Sequence, residues 1–566
     1  MFSEHSHNEE PTVLLCPISD TFNEKKDDVM EIFIDKSKSG ILGKGAYGCV
    51  RKGRIRYSSS GKTEFPVAFK SFFDKEPFSQ NIIREIVGMT CIPHHPNVLK
   101  AKNIYLDEKM RCILVSEKMK SNLYDRLKYS CTLEKRVKWS LQLLCAVDHL
   151  HSNGFMHRDI KLENVFIDRN DNAVLGDMGM CRFFESSEKP TFTSGVCTLW
   201  TRPPELCFKS LYCDKRSSTL YSESIDNWSL GITILGIFAS TYFVQGKNES
   251  DVFMRMIELF GLPPTQTWNE WCISASRTRK PKNFVLAKSH TDEESAQALM
   301  QECSRRKIVI HPDFIRAIIP LLRVDPQERG FPRDIVNNAF FKEFELNKTF
   351  TVFPKRTIIE ASSFFLVPWT LTKNEHRIFG EETVIENKTS VLETCPTRGP
   401  LRLAVTRWIL SLQDTLCLSQ LTILDTILLW EQIRDKVNVD IKSEIVLAAA
   451  CTSLVSKFHE RNLTSSSQIL RCISNSSAGS VHLFEYEVTV LKTSNCNLVR
   501  HKTINLFLQL QKKMGKRNSE SENCTRRLIN VLSKIHSSDL SIDEIINLST
   551  AQETDEEESK IKREEK

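Results

Sequence analysis

Eight consecutive residues, His157-Arg158-Asp159-Ile160-Lys161-Leu162-Glu163-Asn164, put a carboxylate, an ammonium and an amide within reach of one another. Thirteen residues after Asn164 comes Asp177-Met178-Gly179, and Pro203-Pro204-Glu205 follows. Upstream, Gly43-Lys44-Gly45-Ala46-Tyr47-Gly48-Cys49-Val50 has the form GxGxxGxV. Glycines let a hairpin carry backbone N–H groups over a polyphosphate. Such turns are common, so the pattern matters only with what comes next. Val67-Ala68-Phe69-Lys70 ends an apolar strand on a lysine, a poor pattern for a surface strand.

Composition limits the alternatives. At roughly 150 residues per domain, a chain of 566 residues holds about three or four units. With 40% hydrophobic and 26% charged residues, it is neither largely disordered, nor collagen-like, nor a disulfide mini-protein. A net charge of +6, from 77 basic and 71 acidic residues, is too mild to argue for nucleic acid. The 18 cysteines are scattered, with no Cys-x-x-Cys and no zinc-ligand spacing. The start, MFSEHSHNEE, lacks the layout of a signal peptide. Reduced thiols in the nucleus and/or cytoplasm are the expectation. LGITILGIF (230–238) is too short to span a bilayer and reads as a buried core helix.

The expected organisation is a loose arm over 1–36, a mixed unit over 37–345 and a linker over 346–398. A helical domain over 399–500, a partial second helical repeat over 501–550 and a charged tail over 551–566 complete it. The helical expectation rests on amphipathic runs such as LAVTRWILSLQ and EIVLAAACTSLVSKF.

In order and spacing, the motifs of the first unit resemble those of a protein kinase. The resemblance implies an α+β protein-kinase fold, with a β-rich N-lobe and an α-rich C-lobe. It also implies ATP and Mg²⁺ as cofactors. Asp159 would orient or deprotonate the acceptor hydroxyl, and Lys161 would neutralise the γ-phosphate. Lys70 would hold the α- and β-phosphates, braced by Glu85. Asn164 and Asp177 would hold the metal. Gly43, Gly45, Gly48, Val50, Ala68, Glu117 and Met119 would line the nucleotide site. Met178 stands where the family has phenylalanine, a position that packs rather than reacts. Lys161 resembles the serine/threonine class.

Within the kinases, residues 37–345 resemble a cyclin-dependent kinase. Ser79-Gln80-Asn81-Ile82-Ile83-Arg84-Glu85 is similar to the PSTAIRE helix at its Ile-Arg-Glu end. Val196-Cys197-Thr198-Leu199-Trp200-Thr201-Arg202-Pro203-Pro204-Glu205 resembles the segment that shapes a Ser/Thr-Pro preference. Asp226-Asn227-Trp228-Ser229-Leu230-Gly231 and Asp325-Pro326-Gln327-Glu328-Arg329 match further landmarks, and Arg329 would pair with Glu205. Thr193 matches the activating phosphosite, with Arg84, Arg158 and Arg182 as the phosphate-binding set. A plain loop hydroxyl at Thr193 stays open. Tyr47 matches an inhibitory tyrosine, with a purely structural tyrosine as the alternative. Ser116 falls at the gatekeeper, where the family carries a bulky aromatic.

The helical region resembles a cyclin box. Arg402 and Trp408 stand six apart, Ala448 to Glu460 looks like the buried small-residue helix, and Glu487-Val488-Thr489-Val490-Leu491 resembles the next one. Ile83, Lys457 and Glu487 are the expected contacts between kinase helix and cyclin. An unrelated helical bundle is the alternative. The implied function is a kinase of Ser/Thr-Pro sites in proteins, activated by its own cyclin-like domain or by a cyclin in trans. Neither nucleic acid nor membrane is an expected partner. The competing reading is a weak or inactive scaffold binding cell-cycle or transcription regulators. A linker of about 50 residues spans roughly 40 Å as a coil, so pairing within one chain is feasible.

Overall fold

The computed structural model describes residues 16–17, 29–45, 47–57, 63–74, 76–107, 109–183, 197–213, 221–275, 288–346, 398–434, 436–437, 441–460, 465–473 and 480–498. Thr193, nearly all of the expected linker, the segment 501–550 and the tail 551–566 lie outside these residues. The chain divides into two units. One comprises Met1–Leu15, Thr21–Pro77 and Arg84–Val367; the other comprises Cys16–Asp20, Phe78–Ile83 and Pro368–Lys566.

The first unit begins with antiparallel strands β1 (Val29–Ile34), β2 (Ile41–Lys44), β3 (Gly48–Tyr57) and β4 (Glu64–Phe72). Helix α1 (Gln80–Thr90) follows, its first turn counted in the second unit. Then come β5 (Ala101–Leu106) and β6 (Cys112–Glu117). The sheet order is β5-β6-β4-β3-β1, with β2 paired on β3. Side chains alternate across a strand. Val67 and Phe69 of β4 enter a core with Ile55, Tyr105, Ile113 and Val115, so Ala68 and Lys70 are delivered to the opposite face. That alternation is what presents the lysine to the site.

The helical half is organised around α2 (Leu133–Ser152) and α4 (Ser224–Ala239), with α3 (Pro204–Tyr212) between them in sequence. Thr132 caps α2 by accepting from the Lys135 N–H. Every residue of α4 from Ser224 to Phe238 is buried, so its apolar run is core. Among the described residues no helix is long and apolar enough to cross a membrane. Short strands β7 (Ser121–Asn122), β8 (Val165–Ile167) and β9 (Ala173–Leu175) form a small sheet with β8 in the middle. It fixes both ends of the stretch between Asn164 and Asp177. Arg329 grips Glu205 through two bonds of 2.9 and 3.0 Å. It also donates to the Ser224 carbonyl at 2.8 Å and lies over the Trp228 ring. Removing one member of such a buried pair costs about 3–5 kcal/mol, because the other charge is left behind.

In the second unit, helices α5 (Arg398–Leu416), α6 (Gln420–Arg434), α7 (Ile441–His459), α8 (Ser466–Arg471) and α9 (Ser480–Thr493) are described. Ala448, Ala449, Ala450, Cys451, Thr452 and Ser453 on α7 are fully buried. Small side chains here let neighbouring helices approach α7 closely. Trp408 donates to the Cys472 carbonyl at 3.1 Å. Trp430 donates to Glu444 at 3.1 Å while Arg434 lies over its ring. Phe78 stacks on Phe484 with ring centroids 5.5 Å apart, and Gln80 Nε2 donates to the Glu460 carbonyl at 2.8 Å.

Candidate active site

The glycine-rich segment is the β2–β3 turn, closed by the Gly45 N–H donating to the Gly48 carbonyl at 3.0 Å. A Cβ on Gly48 would lie 2.5 Å from the Ser71 carbonyl oxygen, so only glycine lets β3 pass β4 there. Around Gly43 and Gly45 a Cβ would meet nothing within 4 Å, which leaves the backbone open to a ligand. Val50 pairs in register with Lys70, and Ala68 pairs with Ser116. Glu117 ends β6 and Met119 follows it. The strands thus bring Gly48, Val50, Ala68 and Lys70 together with the 116–119 segment.

Lys70 Nζ donates to both oxygens of Glu85, at 2.6 and 2.7 Å, and to Asp177 Oδ1 at 2.9 Å. Burial works against the ammonium, but the two carboxylates more than offset it and hold Lys70 well above its ordinary value. Burial raises Glu85 to about 7 despite Lys70. Burial also pushes Asp177 up, and the Lys70 ammonium overcomes that and keeps its carboxyl below the usual range. Asp177 sits at φ 59°, a left-handed conformation that turns its side chain toward Lys70. Met178 is fully buried, and a Cβ on Gly88 of α1 would come within 2.6 Å of its Cβ.

The other half of the site is the 157–164 loop. Lys161 Nζ donates to Asp159 Oδ2 at 2.7 Å and to Thr198 Oγ1 at 3.0 Å. Thr198 gives Asp159 Oδ1 both its backbone N–H, at 3.2 Å, and its hydroxyl, at 2.8 Å. Asn164 Nδ2 donates to the Asp159 carbonyl at 2.8 Å and to its Oδ2 at 3.1 Å. The loop is anchored from below by Asp226, whose oxygens accept the N–H groups of His157 and Arg158 at 2.7 Å each. Sequence spacing misses two roles. Asp226 and Thr198 stand out in the sequence only as landmarks, and nothing in their spacing says that they hold the loop and the carboxylate.

Arg84, Arg158 and Arg182 are all buried and close together. Burial first, then the charges of Arg158 and Arg182, push Arg84 down to about 8. Arg158 Nε donates to the Met180 carbonyl at 2.7 Å and Nη1 to Tyr221 at 3.2 Å. Three guanidiniums held this close favour an anion between them. Tyr47 is half exposed at the tip of the turn, and its neighbour Ala46 lies outside the described residues. Cys197 takes φ 65°, and its carbonyl accepts from Arg202 Nη2 at 3.0 Å. In the second unit, Ile83 is buried. Lys457 and Glu487 are buried and bond each other at 3.1 Å, with Ser453 also donating to Glu487 at 2.6 Å.

Among the described residues no three His, Cys, Asp or Glu side chains converge as a metal cage. Mg²⁺ needs none, because it keeps waters and borrows phosphate oxygens beside one or two protein oxygens. The hard oxygens of Asp177 and Asn164 suit it, and the glycine turn with Lys70 suits a polyphosphate.

The family model for the protein kinase domain matches residues 37–341. The chain is 29% identical over 330 residues to a serine/threonine-protein kinase of Debaryomyces hansenii, covering 53% of this chain and 50% of that one. It is 27% identical over 312 residues to cyclin-dependent kinase 1 of Encephalitozoon cuniculi, covering 54% of this chain and 96% of that one. A structure of the CAK complex from Chaetomium thermophilum bound to ATP-γ-S is matched at 21% identity and a TM-score of 0.45, over 55% of this chain and 91% of that one. This chain spans 41%, 59% and 50% of the length of three of the curated kinases it matches, about half.

Proposed function

Because this chain belongs to the protein kinase family, we propose that it is a serine/threonine kinase of the cyclin-dependent type that carries its own activator. The observation that carries the catalytic reading is the bridge from Lys70 to both Glu85 and Asp177. MgATP, when bound, would supply the phosphoryl group; Asn164 and Asp177 would hold the metal and Lys70 would pair with the inner phosphates. Asp159 receives the acceptor hydroxyl's proton. Thr198 and Asn164 hold that carboxylate in place, and Lys161 sets a positive charge where the γ-phosphate gains negative charge.

The reading that proline follows the acceptor is supported by Cys197. Its carbonyl is turned to Arg202, so it gives nothing to an incoming backbone N–H. A substrate N–H buried there without a partner costs about 1–3 kcal/mol, a penalty that proline avoids. The arginine cluster is the docking place for a phosphate on Thr193.

Activation within the chain is the finer part of the proposal. It is supported by the Phe78–Phe484 stack and the Gln80–Glu460 bond, which tie the first turn of α1 into the helical unit. Glu85 stands one turn further along that helix. The helical unit is read as a cyclin-like domain, with Lys457 and Glu487 bracing α7 against α9. Action in the nucleus and/or cytoplasm is part of the same proposal, supported by the free cysteines among the described residues.

Phosphate transfer from labelled ATP to a Ser-Pro peptide tests the catalytic reading, with Asp159→Asn as control. Transfer reduced at least a hundredfold by the substitution is expected. Equal transfer by both proteins overturns it, and no transfer by either, even with added cyclin, favours a scaffold.

A further inference from the structure

Arg169 stands in the turn between β8 and β9, and the acids of that turn are already committed. Asp168 Oδ1 accepts the N–H groups of Asn170 and Asn172 at 2.8 and 2.7 Å, and Oδ2 accepts Asn172 Nδ2 at 2.9 Å. Asp171 pairs with Lys135 at 2.7 Å. On the neighbouring strand, Glu64 pairs with Arg54 at 3.1 Å. By contrast, the side chains of Arg169, Lys118 and Lys120 have no hydrogen bond or ion pair among the described residues.

These three residues line one cavity. Together with Pro66 and Met119 they line a cavity of about 280 Å³. The Lys120 N–H donates to the Ile167 carbonyl at 2.8 Å, which ties the 118–120 segment to β8 just before the turn. Lys70, Asp159, Asn164 and Asp177 take no part in this cavity. Met119 also belongs to the segment beside the nucleotide, but the three cations take no part in any step of the phosphoryl transfer described above.

Two lysines and one arginine lining a side-chain-sized space fit one ligand chemistry best. A phosphate monoester brings nearly two negative charges and three acceptor oxygens. Arginine meets such a group with a planar fork, and lysine meets it as a point charge. A carboxylate brings half the charge and one oxygen fewer. Pro66 and the Met119 side of the cavity give contact to a ligand with a carbon body, which free phosphate lacks. The volume lies just below the range usual for small-molecule pockets, so it suits one side chain rather than a dinucleotide.

We propose that the cavity lined by Pro66, Lys118, Met119, Lys120 and Arg169 docks a phosphorylated serine or threonine displayed on a protein. The class of reaction that makes this ligand is phosphoryl transfer to protein hydroxyls, the class to which this chain's own family belongs. A partner phosphorylated once is thereby held for a further event on the same enzyme.

Binding of a fluorescent phosphoserine peptide, free of any Ser-Pro or Thr-Pro site, to the full chain tests this by anisotropy. The phosphopeptide should bind at least tenfold tighter than its unphosphorylated twin. The Lys118→Glu/Lys120→Glu/Arg169→Glu chain should lose at least tenfold, while Lys109→Glu, an exposed control, should not. The arginines near Tyr221 offer phosphate a second place, so the difference between variants is the deciding readout. Should the triple reversal fail to fold, K118Q/K120Q/R169Q is measured in its place. Equal binding of the two peptides overturns the proposal, as does wild-type affinity in the folded variant. Inorganic phosphate competing as well as the phosphopeptide overturns the protein-borne source and leaves a free-anion site.

Discussion

At the scale of single residues, His95 gives the clearest titration. Burial, then the charges of His149 and His94, push it down to about 4. Its Nδ1 accepts the Asn97 N–H at 3.1 Å and its ring stacks on His149, so a proton on Nδ1 would break the turn. A histidine near 6.5 when unfolded and about 4 when folded binds more protons unfolded between those values. Its stabilising contribution is complete above pH 6.5 and is lost as pH falls toward 4, on the order of 3 kcal/mol in all. Melting temperature across pH 8 to 4.5 should fall less steeply in His95→Gln than in the wild type; parallel curves would refute the assignment. Ser116 is the second case. It pairs with Ala68 on one side and Ala101 on the other, three small residues side by side. The wild type should use an ATP bearing a bulky N6 group, and Ser116→Phe should not. Rejection by both sinks that reading.

At the scale of elements, α1 carries the argument because two effects oppose each other at Gly88. Alanine is a better helix former than glycine by about 1 kcal/mol, which alone predicts a gain. A Cβ there would come 2.6 Å from Met178 Cβ and 3.3 Å from Cys181 Cβ, and overpacking of that kind costs about 1–3 kcal/mol. Sterics should win locally by moving α1, which carries Glu85 three residues earlier on the same face. Gly88→Ala should lower kinase activity about tenfold or more while thermal unfolding changes little; unchanged activity contradicts the coupling. This element also shows what a sequence conveys. The 157–164 loop and Lys70 are legible because their chemistry dictates residue types at fixed spacing. The tight Gly88–Met178 packing is not, since residue 178 reads in the sequence only as a tolerant core filler. Lys457 and Glu487 read in the sequence as contacts with the kinase helix; that they are buried and bond each other at 3.1 Å is not legible there, because a charge on an amphipathic helix does not announce its partner. The cation cavity joins three distant stretches of sequence, so no local pattern could reveal it.

At the scale of the whole molecule, the kinase domain match covers residues 37–341 and leaves more than 200 residues beyond it. The β-rich and helix-rich halves of the first unit follow from its alternating strands and its wholly buried α4. The helical surplus follows from amphipathic periodicity, and its packing on α7 from a run of small residues. The central proposal is that it holds α1 so that Glu85 meets Lys70. The initial rate of phosphate transfer to one Ser-Pro peptide, measured for the full chain and for residues 1–350 over a range of protein concentrations, tests this most directly. A rate per molecule that does not change with concentration in the full chain and falls at least a hundredfold on truncation is expected. Equal rates from the two proteins would contradict it.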